Sequence, residues 1–154
     1  MSELIDAVTV EEMAETLRRC GYRANVVEFQ GRPQVRSAAQ GLGFIVAFGG
    51  SPKPDSSGVT RYADLAFQCW IAIEGDLAHG IIDRWNQQQR FARLFRQGQM
   101  LVLCYDVLVA GGVAPEHLLS QCELWDRIIH ELIRHLKQPP PALAAGRPGP
   151  ATAG

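Results

Sequence analysis

Between Leu65 and Ile73 the sequence alternates without a break. Leu65, Phe67, Cys69, Ile71 and Ile73 share one parity, and Ala66, Gln68, Trp70 and Ala72 share the other. Successive side chains of an extended chain point to opposite faces, so this pattern predicts a strand over Tyr62–Ile73 with one apolar and one mixed face. Such a strand needs hydrogen-bonded neighbours and a cover for its apolar side. An antiparallel sheet covered on one face satisfies both needs.

The flanking segments supply the neighbours and the cover. Arg23–Phe29 carries Val26, Val27 and Phe29 and reads as a strand, and Gly31-Arg32-Pro33 reads as a turn. Gln34–Ala38 reads as a second, weak strand, and Leu42–Phe48 alternates Leu42, Phe44, Val46 and Phe48. Gly49–Gly58, rich in Pro, Ser and Gly, is expected to be a loop. Phe91–Arg96 predicts a short strand, Gln97-Gly98-Gln99 a turn, and Met100–Val109 a strand of high β-propensity ended by Gly111-Gly112.

Three helices complete the set. Thr9-Val10-Glu11-Glu12 has the form of a capping box, followed by Val10, Met13, Ala14, Leu17 and Cys20 at helical spacing and Gly21 as the left-handed stop. Asp76 is the expected N-cap of a second helix with Leu77, Ile81, Ile82 and Trp85 on its buried stripe. Pro115 suits the first turn of a third, whose stripe is Leu118, Cys122, Trp125, Ile129, Leu132, Ile133 and Leu136. With the weak segment outside the count, the order is α-β-β-β-α-β-β-α. Strands grouped between helices without βαβ alternation predict an α+β fold with an antiparallel sheet.

The 154 residues suffice for one core, expected over 1–137 as a single domain. The Pro/Gly/Ala-rich stretch 138–154 is expected to be a disordered tail. Fifteen Lys and Arg against sixteen Asp and Glu argue against nucleic acid as a partner, because polyanion binding leaves a basic excess. The start Met1-Ser2-Glu3-Leu4-Ile5-Asp6 lacks the pattern of a signal peptide, and no apolar run is long enough to span a membrane, so a cytoplasmic protein without membrane association is expected.

No catalytic constellation emerges. Gly41-Leu42-Gly43 precedes a strand and lacks a third glycine, and no Gly-x-Ser-x-Gly occurs. Cys20, Cys69, Cys104 and Cys122 are widely spaced among apolar neighbours and read as core filler. His79, His117, His130 and His135 lack the i,i+4 pairing of a zinc helix, and solvated positions are expected for them. Neither an enzyme, nor a metal site, nor a cofactor is expected. Asp106, inside an apolar strand, must be exposed or paired, and Arg90, Arg93 and Arg96 are candidate partners in a structural ion pair. Trp85 is expected in the core, with Asn86 beside it satisfying backbone groups; the functional account instead makes both part of a binding surface. Trp70, on the mixed side of its strand, is a candidate protein contact.

The segment from Ile81 to Arg93 with Trp85-Asn86 and Arg90-Phe91, the strand Leu101–Val109 with Asp106, Gly111-Gly112-Val113 and Trp125 together resemble the YbjN family. These are small bacterial proteins described as sensory transduction regulators. The resemblance covers about residues 9 to 136, with Asp83, Phe95 and Ala114 departing from the family pattern. It implies a fold similar to type III secretion chaperones, a homodimer, and a non-catalytic, chaperone-like role in binding a polypeptide. The alternative is a small metal- or ligand-binding protein using His117, Cys122, His130 or Asp106.

Overall fold

The computed structural model describes residues 3–50 and 53–137. Helix α1 spans Val10–Arg19. Three strands follow, β1 (Asn25–Phe29), β2 (Arg32–Ala39) and β3 (Leu42–Gly49), then the two-residue strands β4 (Lys53–Pro54) and β5 (Thr60–Arg61). Strand β6 (Asp64–Ala72), helix α2 (Ile81–Gln88), strands β7 (Arg93–Gln97) and β8 (Met100–Leu108), and helix α3 (Pro115–Lys137) complete the chain. The main sheet is antiparallel throughout, in the order β1-β2-β3-β6-β8-β7. The fold is α+β, with the strand-rich centre between helices that the sequence predicts.

The alternating segment is the pivot of the sheet. β6 pairs with β3 on one side and with β8 over nine residues on the other, from Asp64↔Leu108 to Ala72↔Met100. Its expected apolar side faces the helices: Leu65, Phe67 and Cys69 are buried, and the Phe67 ring stacks on Trp125 of α3 at 5.3 Å between centroids. Phe44 meets the same indole edge-on at 5.7 Å. The main core therefore lies between one sheet face and α1 and α3. The weak segment Gln34–Ala38 forms the centre of β2, an eight-residue strand, which brings to four the main-sheet strands before α2. Its polar residues fit there because β2 is bonded on both edges while Gln34 and Arg36 point away from the helices.

The capping box is formed as predicted. The Glu12 amide donates to the Thr9 hydroxyl at 3.0 Å, and the Thr9 amide donates to the Glu12 carboxylate at 2.8 Å. Thr9→Ala should cost about 1 kcal/mol, seen as a lower urea midpoint at an unchanged slope; an unchanged midpoint would show that α1 does not need this cap.

Three local expectations need correction. First, α2 begins at Ile81 behind Gly80, not at Asp76, and Asp76 caps nothing. Gly75 and Gly80 both sit at positive φ, 75° and 72°, so the chain reverses twice there and cannot run helically from Asp76. Second, Arg32 and Pro33 belong to β2, and the reversal is made by Gln30 and Gly31 at φ 53° and 78°, the two left-handed positions of a tight hairpin. Third, the expected loop Gly49–Gly58 includes the end of β3 and strand β4, which pairs with β5 in a small hairpin. Asp55 organises its tip, accepting from the amides of Ser57 at 2.8 Å and Val59 at 3.1 Å. The expected tail 138–154 lies outside the described residues.

Candidate functional site

Trp85, Asn86 and His135 form one structural unit. Trp85 is 1% exposed, and its indole N–H donates to the Ala92 carbonyl at 3.0 Å. His135, expected in solvent, is instead buried edge-on against Trp85, with centroids 5.5 Å apart. Its Nε2 lies 2.7 Å from the Ile81 carbonyl oxygen, an acceptor, so that nitrogen carries a proton. His135 lies one residue from Leu136 and shares the buried side of α3 with Ile128 and Leu132, a wider stripe than the sequence periodicity marks. Trp85 is thus unavailable to a partner on the folded surface.

Asn86 is exposed, yet both ends of its amide are engaged. Its Nδ2–H donates to the Leu94 carbonyl at 2.8 Å, and its Oδ1 accepts the Leu94 amide at 2.9 Å. β7 is an edge strand, so the Leu94 groups that face away from β8 would otherwise be free. Asn86 closes the middle of that edge as a neighbouring strand would.

Asp106 and Arg93 form an ion pair at 2.6 Å, in which the side chains are 61% and 57% exposed. Arg90 does not join it: its guanidinium lies 4.8 Å from the centroid of the Phe91 ring. Arg96 bonds the Gly98 carbonyl and Gln99. A pair this open to solvent is screened, so Asp106→Ala should cost less than about 1 kcal/mol; a larger drop in the urea midpoint would show that Asp106 supports something beyond this bridge.

The register explains why Asp106 is exposed within an apolar strand. Rows of directly opposed residues cross the sheet on the face turned away from the helices: Arg36–Ile45–Gln68–Cys104–Arg93, then Gln34–Ala47–Ala66–Asp106, then Trp70–Val102–Phe95. None of these belongs to the main core cluster. No helix of the described residues packs over them, and Trp70 is 40% exposed. Phe29, Gln34, Arg36, Ile45, Ala47, Gln68 and Trp70 line a shallow groove of about 470 Å³ here. The Trp70 indole N–H donates to the Gln68 side-chain oxygen at 3.0 Å. Arg36 makes no ion pair among the described residues. The groove therefore offers apolar surface with one uncommitted cation at its side. Sequence reasoning singled out Trp70 here but missed Phe29, Arg36 and Ile45, because only the register brings β1, β2 and β3 beside β6.

The thiols and histidines do not assemble into a centre. Cys69, Cys104 and Cys122 are buried, Cys20 is half-buried, and all four are free. Burial pushes each thiol above its ordinary value, Cys69 to about 11, which keeps them protonated and poorly nucleophilic. Among the described residues, no three His, Cys, Asp or Glu side chains stand close enough to hold a metal ion. No helix of these residues is long and apolar enough to cross a membrane.

A family model described as "putative bacterial sensory transduction regulator", YbjN, matches residues 9–138. This chain belongs to the YbjN family. No curated protein matches the sequence. The match spans every helix and strand described above. In this YbjN chain, the Trp85-Asn86 pair and Trp125 are accounted for by packing and edge closure, which leaves the helix-free sheet face as the surface they hold in shape.

Proposed function

We propose that this chain is a non-catalytic regulatory module that acts by holding an extended polypeptide segment against its helix-free sheet face. The observation that carries this reading is the largely apolar groove beside Trp70, with Arg36, which makes no ion pair among the described residues, at its side. Aromatic and arginine side chains contribute most per residue to protein interfaces, and large exposed apolar patches mark binding surfaces. The charge selects the occupant: a strand-like segment with apolar residues on one side and an aspartate or glutamate placed to meet Arg36. The family description, a regulator of sensory transduction, agrees with a role exercised through binding. A chaperone-like hold on a partner, in the cytoplasm, is the same reading at finer grain.

The test uses synthetic ten-residue peptides that alternate apolar residues with glutamates. Trp85 and Trp125 are sealed in the core, so changes in indole emission report on Trp70. Saturable binding is expected, weakened about tenfold or more by Arg36→Glu, the size of a charge-assisted contact, at an unchanged melting temperature. Failure of every such peptide to bind, or equal binding by the variant, would refute the reading.

A further inference from the structure

The two edges of the sheet are treated differently. At β7, Asn86 occupies the outward amide and carbonyl of Leu94, and Arg93 and Arg96 stand on the same strand. Such devices keep an edge from pairing with another chain. At the opposite end, β1 reads Asn25-Val26-Val27-Glu28-Phe29, with no lysine, arginine or proline; Arg18 bonds the Ala24 carbonyl just before the strand, and among the described residues no side chain is bonded along Asn25–Phe29 itself. Val26 is 37% exposed and Phe29 51%.

The register states which backbone groups are open. The tight turn at Gln30-Gly31 makes Phe29↔Arg32 a hydrogen-bonded pair, and bonded and non-bonded pairs then alternate. Asn25, Val27 and Phe29 therefore bond β2, whereas the amides and carbonyls of Val26 and Glu28 point outward. Pro33, which has no N–H to give, stands opposite Glu28 at a non-bonded pair, as this alternation requires.

We propose that two copies of this chain join antiparallel along β1, with Val27 facing its own counterpart across the two-fold axis. The strand is self-complementary in this register. Val26 of one copy opposes Glu28 of the other, so the four outward donors and acceptors on each strand are all paired. Moving the axis to Glu28 would set the two carboxylates against each other, and like charges directly opposed destabilise. Moving it to Val26 would set Glu28 against Ala24, outside the strand. Val27 and Phe29 of both copies then meet on the helix-free face, which covers part of the exposed Phe29 ring. The two six-stranded sheets become one of twelve, and the two Trp70 grooves lie on one continuous surface on either side of the axis. This inference stands on the β1 edge alone and does not depend on what occupies the groove.

Sedimentation velocity over a concentration series, on the full chain, tests it with two kinds of variant. Val26→Pro deletes an outward N–H and leaves every β1–β2 bond in place. Two bonds lost per dimer should raise the dimer Kd about tenfold or more, with the far-ultraviolet dichroism and melting of the monomer unchanged. In a Cys20→Ser background, Val27→Cys should give a covalent dimer under mild oxidation, because opposed residues of a non-bonded pair approach most closely. Asn25→Cys, which faces Phe29 of the other copy, should not. A wild-type chain that stays monomeric throughout, or a dimer that survives Val26→Pro with no Val27→Cys cross-link, would overturn the proposal.

Discussion

Trp125→Ala is expected to lower the unfolding free energy by about 3–5 kcal/mol, the cost of an aromatic cavity. The side chain is fully buried, stacked on Phe67 and edge-on to Phe44. It joins α3 to β3 and β6 at the centre of the core. Trp85→Ala should cost about as much, again about 3–5 kcal/mol, through the cavity between α2, β7 and the end of α3. Phenylalanine replacements separate the two indoles. Trp85 donates to Ala92, so Trp85→Phe leaves a carbonyl without its partner. The Trp125 N–H has no partner among the described residues, so Trp125→Phe also removes an unsatisfied buried donor. An unpaired buried polar group costs about 1–3 kcal/mol, and Trp125→Phe should therefore be the milder of the two. Urea unfolding of the four variants decides this. Equal losses for the two phenylalanine variants would mean that the Trp125 N–H is satisfied in solution.

Asn86→Ala should produce the second large effect, and of a different kind. Two hydrogen bonds to Leu94 disappear, at about 0.5–1.5 kcal/mol each, and the middle of β7 becomes an open edge. The variant should melt lower and should also form assemblies larger than the parent's, because an unguarded strand invites pairing. Amide hydrogen exchange at Leu94 should rise well above that of its neighbour Phe95, whose N–H bonds β8. Unchanged exchange at Leu94 would show that the clip does not form in solution.

The fold was largely legible in the sequence because its strongest signals are local and redundant. The alternation at Leu65–Ile73 and the capping box at Thr9–Glu12 each stand on several residues, and both appear where expected. The errors cluster where one residue had to decide. Asp76 looked like a helix cap, but two glycines at positive φ override it. The sequence predicts a strand from Phe91, but that residue sits at φ 78° and turns the chain, so β7 starts at Arg93. The burial of His135 is hidden because a polar residue at the margin of an apolar stripe gives no sign of a carbonyl waiting for it across the fold.

The candidate site was legible in part. Trp70 could be singled out from parity alone, since a large aromatic on the polar side of a strand needs a reason. Arg36 and Ile45 could not, because their place beside Trp70 depends on strand order and register, which link residues far apart in the chain. The Arg93–Asp106 pair was legible because a carboxylate within an apolar strand demands a cation. Its exposure was not, because the sequence does not reveal that one sheet face lacks a helix.

On the proposed reading, the helix-free face carries the interaction and the helices support it. Site-specific photo-crosslinking in native cells tests this most directly, with a benzophenone amino acid at position 70 and, as the control, at the exposed helix position 130. A discrete polypeptide adduct is expected from position 70, lost when Arg36→Glu is added, and none from position 130. Adducts of equal yield from both positions, or from position 130 alone, would contradict it.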